Sequence, residues 1–188
     1  MKLTTSRLIR YPHGILAGTA LLVACADEAP VAPKAPQAPM QLSTSSTTEV
    51  ARFVATIRRV TSRYHDLQAA LDDGFVFLHD CETRAEEGAV GIIFGHPGRV
   101  GDGIADPEAP DALIYEPRLT GSPRLVGVEL AVPVEAPDDA PPTFLGHTFQ
   151  REDEFGVFAL HVWVWRRNPA GLFAVVNPSV SCEAGDRR

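Results

Sequence analysis

Beyond residue 25, the side chains that could carry chemistry are five histidines, His65, His79, His96, His147 and His161, and one isolated acid, Glu129. Four of the histidines follow or interrupt apolar, strand-like runs: His79 after residues 75–78, His96 after 92–94, His147 after 144–145, and His161 within 156–165. Glu129 is the only charge between Arg124 and Glu135, and an ionised carboxylate in an apolar strand has to meet a donor or a positive charge. If those strands share a sheet, His96, Glu129 and His161 converge on a pocket, with His147 as a further member. Imidazoles grouped with a carboxylate suit a transition metal ion such as zinc, copper, iron or manganese, or a small polar ligand. An open metal position would allow hydrolytic or oxidative chemistry, with Glu129 as ligand or base. Trp163 shares the strand face of His161 by parity and would rim the pocket. The competing reading makes His161 a core histidine bonded to Glu129 and turns the domain into a non-enzymatic cell-surface binding module.

Other chemistries find little support. There is no H-E-x-x-H string, and no glycine-rich loop precedes a helix. Residues 101–108 have acids close together but lack the ligand spacing of a calcium loop, so they read as a turn. Ser122 stands in Gly-Ser-Pro, where the proline rules out a nucleophile elbow. Whether the protein is an enzyme therefore stays open.

The elements that must position these groups begin after a distinctive N-terminus. Residues 1–25 combine Lys2, Arg7 and Arg10 with a short apolar stretch, as a secretory leader does, and the stretch is too short to span a bilayer. The leader ends in Leu22-Val23-Ala24-Cys25, which resembles the lipobox of bacterial lipoproteins. That resemblance implies lipidation of Cys25, export and membrane anchoring, and Ala26 after the cysteine favours the outer membrane or cell surface. Residues 26–46 are first Ala/Pro-rich and then Ser/Thr-rich, an extended tether, and residues 47–188 form a single domain. The 188-residue chain carries a net charge of −7, which becomes −10 without the three basic residues of the leader. An acidic domain with no basic patch disfavours nucleic acid as a partner. With Cys25 lipidated, Cys81 and Cys182 remain, and in an oxidising compartment they should pair as a disulfide.

Within the domain, Ser46 and Glu49 fit a capping box, and apolar residues from Val50 to Leu71 recur in steps of three and four up to Gly74. The pattern predicts one helix of about seven turns. Strands are predicted near residues 75–79, 90–94, 112–116, 124–134, 143–149 and 156–165, with no helical crossover between them. The expected fold is α+β, a long N-terminal helix packed on a curved, largely antiparallel sheet, with a small β-barrel and external helix as the alternative.

The segment from His161 to Phe173, His-Val-Trp-Val-Trp-Arg-Arg-Asn-Pro-Ala-Gly-Leu-Phe, followed by Asn177-Pro178 and Cys182, resembles an uncharacterised family of exported bacterial proteins that share an H-V-W-x-W-x-x-N-P-x-G-x-F terminus. The similarity extends over residues 71–74, 88–96, 106–117 and 125–129. It implies export but carries no activity. Pro97 replaces the aromatic that usually follows the histidine matching His96. A looser likeness to the cupins fails on the spacing of their first motif.

Overall fold

The computed structural model describes residues 44–84 and 86–183, with side chains from residue 47 onward. The leader, Cys25 and nearly all of the tether lie outside the described residues. Among the described residues no helix is long and apolar enough to cross a membrane.

The expectation of an α+β domain built on one seven-turn helix is corrected by the structure. The helical part is α1 (Thr44–Thr61), a 3-10 turn (Ser62–His65) and the short α2 (Leu67–Asp72). The chain is already helical at Thr44, so Ser46 lies inside the helix and does not cap it. The apolar stripe that predicted a continuous helix is real, and Phe53, Ile57 and Tyr64 are buried along it. The backbone breaks because two of its bonds are diverted. The Tyr64 carbonyl, which a continuing helix would offer to the Gln68 amide, instead accepts the Tyr115 hydroxyl at 2.7 Å. Gln68 donates to the Asp66 side chain at 3.0 Å, and Asp66 thereby caps α2. Gly74, at a φ of 93°, then turns the chain out of the helix.

The rest is mostly sheet. The strands are β1 (Val76–His79), β2 (Thr83–Arg84), β3 (Gly88–Ala89), β4 (Ile92–Gly95), β5 (Ala112–Glu116), β6 (Arg124–Pro133), β7 (Thr143–Phe144), β8 (His147–Thr148), β9 (Gln150–Glu152) and β10 (Val157–Val162). Six of them form one antiparallel sheet in the order β1-β4-β5-β6-β10-β9, while β2–β3 and β7–β8 are small separate ladders. The barrel alternative is also overturned: among the described residues the sheet does not close, because β1 and β9 remain unpaired edges.

Both faces of the sheet are covered. On the helical face, Phe53, Ile57 and Phe75 join Leu113, Tyr115, Val128, Leu130 and Leu160 in the main core. A bulge in β6 decides which side chains reach it. Ile114 pairs with Gly127 but Tyr115 pairs with Leu125, which leaves Val126 as the extra residue. Leu125 therefore joins Val128 and Leu130, and Val126 turns to the opposite face against Ile114 and Trp163. Strict alternation along an unbulged strand would put Val126 on the face of Val128.

The opposite face is covered by irregular backbone from residues 172–182. Val175 and Val176 pack with Val90, Ile93 and Ala112, and Val180 packs with Trp163 and Ile114. Asn177 bridges to Ala89, and a Cβ on the neighbouring Gly88 would collide with the Asn177–Pro178 backbone. Cys81 and Cys182 form a disulfide beneath this cover, with Cα atoms 5.3 Å apart.

Candidate functional site

Glu129 of β6 and His161 of β10 are direct cross-strand partners, and their side chains point to the tail-covered face. His161 Nε2 lies 3.2 Å from Glu129 Oε2, with 6% and 11% of the two side chains exposed. The other ring nitrogen, Nδ1, donates to the Val175 carbonyl at 2.6 Å. Both ring nitrogens thus face oxygen acceptors, the arrangement that an imidazolium satisfies. Burial works to lower the His161 pKa, but the hydrogen bond and charge of Glu129, the Val175 carbonyl and the charge of Glu152 outweigh it, and the pKa is raised.

A cavity of about 70 Å³ opens onto this pair. Leu78, Val90, Ile93, Val100 and Val157 make its apolar wall, and Glu82, Arg84, Glu152 and Glu154 its polar one. The sheet curls enough for its first edge to reach the β9–β10 turn. His79 of β1 lies 4.0 Å from the Glu154 carboxylate, and its ring centroid is 6.1 Å from that of Phe155. These contacts form the rim. Glu152 is half-buried, and its pKa is raised by burial first and by the charge of Glu129, against the lowering pull of His161 and Arg84.

The other sequence-predicted members lie elsewhere. His96 packs edge-on against Phe75 at 5.4 Å and accepts the Gly98 amide, so it belongs to the helical side. His147 is exposed on the β7–β8 hairpin and stacks on Phe173 at 4.1 Å. Trp163 does share the face of His161, with ring centroids 6.2 Å apart, but it is not a wall of the cavity. It packs beside the disulfide and donates its indole N–H to the Ala174 carbonyl at 2.6 Å. Trp165, which strict alternation would put on the same face as Trp163, crosses to the helical side because β10 ends at Val162, and its indole N–H donates to Thr61 Oγ1 at 3.1 Å.

These placements bear directly on a metal. Among the described residues, no three His, Cys, Asp or Glu side chains are grouped to hold one. His161 would have to surrender either Glu129 or Val175 to expose a nitrogen lone pair, so the set His96, Glu129, His161 and His147 does not fit a metal ion.

Three contributors were not singled out by the sequence. Glu152 and Glu154 lie in the acidic run 152–154, and it is the pairing of Val157 with Glu152 in the β9–β10 hairpin that brings them to the cavity. Asp111, wholly buried behind Glu129, donates its amide to the Glu129 carbonyl at 3.1 Å. Its signal was an acid placed directly before an apolar strand.

Comparison with protein-family models, with curated proteins and with solved structures finds no match for the chain.

Proposed function

We propose that this chain is an exported lipoprotein, anchored through Cys25 and tethered by residues 26–46, whose domain captures a small ligand in the cleft above Glu129 and His161. The observation that carries the reading is a buried Glu129–His161 pair that lines a cavity with an apolar wall and a polar wall. A small hollow that sets fixed polar groups against a hydrocarbon wall has the makings of a ligand site. The likeness to exported bacterial proteins and the lipobox at Cys25 support the address, with Ala26 favouring the outer membrane or cell surface. The reading includes no catalytic step.

A second reading, in which the pair serves the fold alone, draws support from the same segment. His161, Trp163, Asn168 and Asn177 all spend hydrogen bonds on fixing residues 167–179.

One experiment separates the two. The full chain, purified in detergent from membranes, is titrated with small amphipathic fragments while the ring resonances of its histidines and phenylalanines are recorded. Ligand capture shifts His161 and Phe155 saturably, leaves His147 unmoved, and weakens in Glu129→Gln. If Glu129→Gln lowers stability but binds as well as the wild type, the pair is structural. In the same preparation Cys25→Ser should move the protein to the soluble fraction; retention in the membrane would remove the proposed anchor.

A further inference from the structure

We infer that the cleft selects a small organic cation, an ammonium or guanidinium group on a short hydrocarbon chain. This rests on the proposed binding role of the cleft and assigns its ligand class.

The charges around the cavity do not balance. Glu82, Glu129, Glu152 and Glu154 line it against Arg84 and His161, with His79 as a further base at the rim. Arg84 is occupied by Glu82 at 3.5 Å, and His161 by Oε2 of Glu129. Glu129 is only 8% exposed, yet among the described residues its Oε1 receives no hydrogen bond, and this oxygen is not sealed from the cavity. The Glu152 side chain accepts no hydrogen bond and joins no ion pair among the described residues, whereas its backbone carbonyl accepts the Phe155 amide at 3.2 Å.

A carboxylate drawn out of bulk water gains most from a partner that brings both charge and donors. An ammonium or guanidinium placed between Glu129 Oε1 and Glu152 supplies both. A carboxylate or phosphate ligand would be repelled by the same two groups. An inorganic divalent ion fits less well than an organic cation. Calcium wants six to eight oxygens, whereas much of this wall is hydrocarbon from Leu78, Ile93 and Val157. That hydrocarbon suits an alkyl stem, and the Phe155 ring at the mouth adds an aromatic face for a cation entering. The cavity, about 70 Å³, has room for roughly five waters or a head group and stem of similar bulk.

The test uses the full chain and four probes of matched size: n-butylammonium, n-butylguanidinium, n-butanol and butyrate, with calcium chloride as a fifth. Binding is read from the His161 and Phe155 ring resonances. The two organic cations should shift these signals saturably, and butanol and butyrate should bind at least tenfold more weakly. Because Glu129→Gln can fail to fold, the decisive variant is the half-buried Glu152→Gln, which should weaken cation binding about tenfold with the melting temperature preserved. Equal binding of butanol or butyrate, displacement of butylammonium by calcium at equal concentration, or unchanged affinity in Glu152→Gln overturns the inference and leaves the cleft as a binding site. If no probe moves these resonances, the binding role falls with it.

Discussion

Asp111 carries a carboxylate that water does not reach. One of its oxygens accepts the Ala131 amide at 2.9 Å, and the other, Oδ1, has no partner among the described residues. Burial, with smaller contributions from the charges of Asp102 and Glu129, outweighs the Ala131 hydrogen bond and raises its pKa from 3.8 to about 7. The native state therefore keeps a proton that the unfolded chain gives up at pH 3.8, so the stability this group supplies is full below that pH and drains away as the pH rises to about 7. The loss is on the order of 4 kcal/mol. His161 acts in the same direction at higher pH. Its folded pKa is raised above 6.5, so its contribution is present below 6.5 and is lost as the pH climbs through the folded value. Asp111→Asn, measured by urea unfolding from pH 4 to 9, should flatten the fall below pH 7 and leave the later His161 fall in place. An unaltered acid limb would show that Asp111 titrates normally. The opposition of Glu129 and His161 was legible because each is a lone polar residue in an apolar strand and parity tells which way each points. Asp111 was hidden by its neighbours: after Ala109-Pro110 an acid reads as part of a turn, and only the strand pairing shows it enclosed.

At the scale of the element, Tyr115 and Thr61 decide how the helical layer lies on the sheet. Tyr115 sends its hydroxyl from the sheet to the Tyr64 carbonyl, and Thr61 Oγ1 donates to the Ile57 carbonyl at 2.7 Å while accepting the Trp165 indole. Tyr115→Phe keeps the buried ring but strands the Tyr64 carbonyl, which costs about 1–3 kcal/mol by the usual penalty for an unsatisfied buried acceptor. The expected result is a lower urea midpoint, with faster hydrogen exchange at Gln68 and its neighbours in α2. Unchanged exchange there would mean that the Asp66 cap alone enforces the break. The stripe from Val50 to Leu71 showed which face is buried, because burial depends on spacing. It did not show the interruption, because that depends on a hydroxyl from a strand about fifty residues away. Asp66 before Leu67 was the one local hint of a new helix start. The bulge at Val126 was unreadable for the same kind of reason: an extra residue in β6 is defined only against its partner β5.

For the whole molecule, the Cys81–Cys182 disulfide closes a separation of 101 residues and pins the tail that roofs the sheet face carrying Glu129 and His161. Cysteine arithmetic gives this pairing from the chain alone, whereas the roof has no periodic pattern to announce it. Chain entropy assigns such a link roughly 4–5 kcal/mol, by restricting the unfolded state. The tail has its own ties to the domain. Val175 accepts from His161, Ala174 from Trp163, Val176 from Asn168 and Ser179 from Arg166, while Ser181 donates to Glu116. With so many bonds remaining, loss of the disulfide should destabilise the domain as a unit, because the native contacts persist and it is mainly the unfolded chain that gains freedom. The double variant Cys81→Ser, Cys182→Ser should melt in one cooperative transition about 15 °C lower, with Trp163 fluorescence and the far-ultraviolet signal changing together. If Trp163 instead becomes solvated well before the sheet melts, the disulfide is holding the roof down locally. Reduction would then open the face that contains Glu129 and His161 while the helical core stays folded.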